Sequence, residues 1–175
     1  FNEHCDIPEY SRFIRSEEVM HGIVRTRRHN ERVKQHIHKI NPELYDRFFN
    51  NSESNAGYVW SHDRWIYNAL AKFKELRSNG ELAFDYFQDN IVENTLVLLD
   101  EPENSLSPKL QKELAKMIED YVRFFNCQFI IATHSPFLLA IPHALIYDLD
   151  QTPSKVRAWD ELENIKLYRE LFQKK

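Results

Sequence analysis

Two short apolar runs, each closing on polar residues, constrain the fold of this chain more than any other feature. Thr95 to Leu99 leads into Asp100-Glu101, and Gln128 to Thr133 leads into His134. A short, continuously apolar segment is expected for a strand buried on both faces of a parallel sheet. Between the two runs, Lys109 to Phe125 places Leu110, Leu114, Met117, Ile118, Tyr121 and Val122 at helical spacing, with charges opposite. Further on, Pro136 to Ala140 reads as a short helical turn and Leu145 to Leu149 as a third strand. Lys155 to Trp159 adds an edge strand, and Leu162 to Phe172 a closing helix. Strand, helix, strand, helix, strand is the order of an α/β sheet with right-handed crossovers.

The texture before residue 90 is different. Ser16 to about Phe49 is highly charged and helix-compatible, opening on Ser16-Glu17-Glu18 as cap and acidic first turn. Asn41-Pro42 interrupts it, and Glu43 to Phe49 forms a second short piece. Residues 50 to 57, rich in turn formers, read as a linker. Ser61 to Leu76 has Trp65, Ala69, Leu70 and Phe73 on one helical face. No internal repeat is visible.

Composition excludes several classes. The 175 residues suit one domain with an appendage, and 42% hydrophobic with 29% charged residues is ordinary for a soluble globular chain. A formal charge of −4 argues against a uniformly nucleic-acid-binding protein. Cys5 and Cys127 provide no disulfide framework, so a reduced, cytoplasmic setting is the default. No stretch reaches the ~18 apolar residues that span a bilayer, which leaves no membrane role. The first residue is Phe1 rather than Met, from which we expect a segment upstream.

In an open α/β sheet, ligands bind at the carboxyl ends of the strands, where Asp100, Glu101 and Thr133-His134-Ser135 fall. A carboxylate at a strand end can hold a magnesium-bound water, and the next can orient and deprotonate an attacking water. Successive side chains point to opposite sides, which separates the two tasks. The plainer alternative is that Asp100-Glu101 merely begins a turn toward Pro102.

The full phrases Leu96 to Pro108, LVLLDEPENSLSP, and Phe129 to Leu139, FIIATHSPFLL, resemble the ABC-type ATPases. They are most similar to the soluble, non-transporter branch with the SMC-like and overcoming-lysogenization-defect-like AAA-family members. The resemblance covers roughly residues 78 to 172. It implies a P-loop NTPase-type, mostly parallel sheet with a helical subdomain in residues 1 to 77 and the ATPase part in 78 to 175. It also implies ATP and Mg2+ as cofactors, with Asp100 as the Walker B metal-side aspartate, Glu101 as general base and His134 as the switch histidine on the γ-phosphate. Ser105-Leu106-Ser107-Pro108 would be the D-loop.

Arg77-Ser78-Asn79-Gly80-Glu81 resembles the signature loop L-S-G-G-Q, keeping the serine and second glycine but departing at Arg77, Asn79 and Glu81. A helix N-terminus there would favour phosphate. Ser78, Gly80 and Glu81, with Ser105 and Ser107, are thus the candidate nucleotide contacts. In the family this loop completes the site of the opposite subunit, implying a head-to-tail homodimer. A phosphate loop G-x-x-x-x-G-K-[ST] is missing, because the only glycines are Gly22, Gly57 and Gly80. The sheet is therefore expected to be incomplete, with that loop supplied upstream.

The other motifs carry less. The basic stretch Arg25 to Lys34 suits nucleic-acid phosphates, but without interleaved aromatics a solvated helix face is favoured. His36 and His38 have no further ligands placed to close a zinc site. Asp148-Leu149-Asp150 resembles the D-x-D of a Toprim nuclease without its upstream glutamate motif. Three expectations follow: an ATPase that passes nucleotide state to an effector, nuclease or DNA partner; a non-catalytic interaction module; and, least favoured, an ATP-gated nuclease subunit.

Overall fold

A computed structural model describes residues 7–46, 49, 77–150 and 152–173. The expected linker at 50–57, the helix at Ser61 to Leu76 and Cys5 lie outside the described residues. The chain divides into two compact units, one running to Met20 and resuming at Asn79, the other from His21 to Ser78.

In the first unit, β1 (Arg12–Arg15), β2 (Leu96–Asp100) and β3 (Gln128–Ala132) form a three-stranded sheet in that order. Both pairings are parallel. The α/β class with a mostly parallel sheet is therefore what forms. The central strand is the apolar LVLLD run, since only a strand paired on both edges satisfies all its backbone groups away from water. Its register sets Leu99 beside Ile14 on one side and Ile131 on the other, and Asp100 beside Arg15 and Ala132.

β1 is a strand that the sequence pattern did not disclose. Arg-Phe-Ile-Arg has two apolar residues and runs straight into α1 (Ser16–Ile40), so its signal merges with the helical texture that follows. Glu18 in the first turn of that helix accepts from the Tyr86 hydroxyl at 2.7 Å and pairs with Arg12 at 3.5 Å. The helix ends at Ile40, and the short α2 (Pro42–Tyr45) follows the proline as expected.

The expectation that β2 is buried on both faces needs correction. Val97 and Leu99 are buried, as is Ile14 beside Leu99, and the same unit's core includes Phe87, Leu114 and Ile118 from the helices. Across the opposite face, Phe13, Leu98 and Ile130 stand in register, and Phe13 is 53% and Ile130 56% exposed. Only one face carries a closed core among the described residues.

The helices follow their patterns. α3 (Asn79–Asn90) buries Gly80, Leu82, Ala83 and Phe87. α4 (Pro108–Phe124) starts on Ser107, whose hydroxyl accepts from Leu110 N–H at 3.4 Å, with Pro108 at the first helical position. Cys127 is a free, buried thiol. α5 (Pro136–Leu139) is capped by Ser135, which accepts from the N–H groups of Phe137 and Leu138.

A second correction concerns the later strands. β4 (Ile146–Asp148) and β5 (Lys155–Arg157) pair antiparallel with each other in a separate two-stranded sheet rather than extending the parallel one. The connection between them is short, and a short connection suits an antiparallel hairpin whereas a parallel pair needs a long crossover. α6 (Glu163–Gln173) closes the described chain. No helix among the described residues is long and apolar enough to cross a membrane.

Gly80 shows how tightly α3 meets the loop before α4. A Cβ there would lie 2.9 Å from Leu110 Cδ1 and 2.9 Å from the Ser105 carbonyl oxygen. The leucine methyl can swing away, but the backbone carbonyl cannot without moving the loop. Gly80→Ala gains up to about 1 kcal/mol of helix propensity against an overpacking cost of about 1–3 kcal/mol. We expect a net loss of roughly 1 kcal/mol in urea unfolding; a stabilised variant would show that the contact yields.

Candidate functional site

The parallel pairing of β2 and β3 brings two motifs some thirty residues apart to one edge of the sheet. Asp100 is the last residue of β2, half-buried, with Ala132 as its neighbour on β3. Glu101 follows with φ 45°, a left-handed conformation that costs a non-glycine residue about 1–2 kcal/mol. Its N–H still donates to the Ala132 carbonyl at 2.9 Å, so the ladder continues one residue past the strand before the chain turns. Such backbone persists only where its surroundings hold it, and it concentrates at functional sites.

The turn then closes on itself. Asn104 N–H donates to the Glu101 carbonyl at 3.2 Å, and Asn104 Nδ2 donates to Glu101 Oε2 at 2.8 Å. Leu106 N–H donates to the Glu103 carbonyl at 2.9 Å. Glu101 thus commits one carboxylate oxygen to a neutral donor that fixes its direction.

Glu103 is the residue that sequence reasoning missed. Its Oε2 accepts from the Thr133 hydroxyl at 2.7 Å and its Oε1 from the His134 N–H at 2.7 Å. Both oxygens are spent on the loop that carries His134. Hydrogen bonds to a charged acceptor contribute roughly 1.5–3 kcal/mol each, here toward the lower end because His134 is exposed. The available signal was a third carboxylate, two residues beyond Glu101.

A second set of bonds joins the same loops. Ser135 N–H donates to Thr133 Oγ1 at 3.0 Å, and the Ser135 hydroxyl donates to Gln111 Oε1 at 2.8 Å. Gln111 Nε2 in turn donates to the Leu106 carbonyl at 2.9 Å. One amide orientation satisfies both ends. Nothing in the sequence pattern marked Gln111, which sits among other polar residues of α4.

The remaining candidates divide. Ser105 faces Gly80 through its carbonyl and donates its hydroxyl to Met20 Sδ at 3.1 Å. Ser107 is exposed and caps α4. Glu81 is exposed in the first turn of α3, where its charge already complements the helix dipole. Gly80 is buried against Ser105, whereas Ser78 closes the other unit. Asp100, Glu101, His134, Ser105, Ser107, Gly80 and Glu81 therefore all fall within the first unit, and Ser78 in the other.

Other motifs have structural roles. Asp148 Oδ2 pairs with Arg157 Nε at 3.0 Å and its Oδ1 accepts from the Asp150 N–H, which occupies the carboxylate in fastening β4 to β5. His38 packs edge-on to Tyr45 with centroids 4.9 Å apart. The basic stretch lies on α1, with Arg25, Arg28 and Arg32 exposed. Among the described residues, no group of three His, Cys, Asp or Glu gathers as a metal cage. A single strand-end carboxylate nonetheless fits Mg2+, which keeps several waters and is usually held by one or two carboxylates plus substrate phosphates.

Comparison with protein families matches residues 35–140 to the family described as "AAA domain, putative AbiEii toxin, Type IV TA system". The match spans more than half of the 175 residues and contains Asp100, Glu101 and His134. The chain belongs to this AAA-domain family. As an AAA-family, P-loop-ATPase-like domain, it carries the mostly parallel sheet that the resemblance implied, and the family points to nucleotide-binding, ATPase-like activity. Comparison with curated proteins and with solved structures finds no match.

Backbone strain at Glu101 can be isolated by comparing two variants that both remove its carboxylate. Glu101→Gly should be more stable than Glu101→Ala by about 1 kcal/mol in thermal unfolding. Equal stability would mean that position 101 does not hold the left-handed conformation.

Proposed function

We propose that this AAA domain supplies the hydrolytic side of an ATP site. The observation that carries the reading is the placement of Asp100-Glu101 and His134 at adjacent carboxyl ends of β2 and β3, the edge where open α/β sheets bind ligands. Asp100 holds the magnesium side, Glu101 orients and deprotonates the attacking water, and His134 faces the transferred phosphate. Bound Mg2+ would neutralise charge on the phosphate oxygens. Glu101 suits its role because Asn104 orients it, whereas Glu103 is saturated by donors.

Ser78, Gly80 and Glu81, with Ser105 and Ser107, serve as contacts to nucleotide across a head-to-tail homodimer in this reading. The packing of Gly80 on the Ser105 carbonyl supports it, since movement of one loop is felt by the other. The reading requires a phosphate loop supplied upstream of these motifs. Nucleotide state then passes to an effector, nuclease or DNA partner.

Turnover of ATP by the intact polypeptide provides the test. Glu101→Gln keeps the side chain's shape and its ability to accept from Asn104, yet removes the base. Loss of a general base lowers kcat by about 100-fold or more, so this variant should bind ATP and accumulate as a nucleotide-bound dimer in sizing chromatography. Unchanged turnover would remove Glu101 from the mechanism.

A further inference from the structure

Glu103 and Gln111 close a ring of hydrogen bonds that the hydrolytic roles above do not use. From the Leu106 carbonyl it runs through the Gln111 amide to the Ser135 hydroxyl. The Ser135 backbone then leads to the Thr133 hydroxyl, and so to the Glu103 carboxylate. The backbone from Glu103 to Leu106, itself pinned by Leu106 N–H on the Glu103 carbonyl, completes the circuit. His134 N–H also ends on Glu103. The loop bearing His134 is therefore held by one carboxylate on its near side and by one amide on its far side, and both holders belong to the segment that follows Glu101.

We propose that Glu103 is a positioning residue for His134, with Gln111 as its brace, so that the Ser105–Ser107 loop and His134 move as one body. The inference rests on the ATPase reading for its consequence but on the ring alone for its geometry. His134 is exposed and its short loop lies between β3 and a four-residue helix. Two 2.7 Å bonds to a single carboxylate fix both the backbone of His134 and the side chain before it. Their length is that of charge-assisted bonds. A carboxylate suits the position because it accepts twice and donates nothing, whereas a glutamine would turn one of its ends into a donor.

Displacement of a reacting group by about 1 Å can cost about a hundredfold in rate. Steady-state ATP turnover by the intact polypeptide should therefore show Glu103→Ala lowering kcat by about tenfold or more, with KM moved less than about twofold. Glu103→Gln, which keeps one acceptor, should fall between that variant and the parent. The double variant Glu103→Ala/His134→Ala should be no slower than His134→Ala alone, because a residue that acts through His134 has nothing left to position. Losses that multiply, or an unchanged kcat in Glu103→Ala, would overturn the proposal. Should Glu103→Ala unfold, the same comparison with Glu103→Gln decides.

Hydrogen exchange at the His134 amide separates this inference from the reading beneath it. Release of that amide in Glu103→Ala should speed its exchange by about tenfold or more relative to its neighbours in β3. Unaltered exchange would overturn the clasp even in a protein that hydrolyses ATP. An intact clasp in a polypeptide with no ATP turnover would instead overturn the ATPase reading, and the positioning role with it.

Discussion

The parallel register that sets Asp100 beside Ala132 is the constraint on which the rest of this structure depends. It brings two polar motifs, separated by a whole helix, to one sheet edge, and it does so through backbone bonds that side-chain changes on the surface leave alone. Slipping the pairing by one residue would exchange the faces of β2, sending Val97 and Leu99 to the face where Phe13 and Ile130 are exposed. Burial of a Val or Leu side chain stabilises by about 1.5–3 kcal/mol, so the core opposes such a slip strongly. Hydrophobic burial thus determines where the chemistry stands.

Past the strand ends, polar bonds take over from packing. Glu101 enters the left-handed region while its N–H still bonds Ala132, and the turn that follows is secured by Asn104. The neighbouring loop hangs from Glu103 and is braced through Gln111. Three successive carboxyl-bearing positions consequently diverge in role: Asp100 stays in the ladder, Glu101 is oriented by one amide, and Glu103 is consumed as a fastener. Identical chemistry in Glu101 and Glu103 is separated by the donors each one meets.

Much of this was legible in the sequence. The LVLLD and QFIIA runs announce β2 and β3 because short, continuously apolar runs favour extended chain, although β2 buries only Val97 and Leu99 and β3 buries no residue fully. Ser107-Pro108 announces the start of α4 because a capping hydroxyl and a proline suit the first turn. β1 was illegible because two of its four residues are arginine, and its place comes from edge pairing with β2 rather than from its own pattern. The separate hairpin of β4 and β5 was misassigned to the main sheet because periodicity says that a segment is extended and not which partner it chooses. Glu103 and Gln111 escaped for a related reason: their roles are long-range hydrogen bonds, and a polar side chain in a sequence does not display its partner. Gly80 was read as a phosphate-approach residue, and the structure adds a packing cause in the Ser105 carbonyl.

The central claim is that the ends of β2 and β3 form the hydrolytic side of a nucleotide site. Its most direct test is a crystal structure of the intact polypeptide with Mg2+ and a non-hydrolysable ATP analogue. The account predicts magnesium on the Asp100 side, the terminal phosphate between Glu101 and His134, and Glu103 still bonded to Thr133. A nucleotide bound away from these strand ends, with Asp100 and His134 both facing solvent, would contradict it.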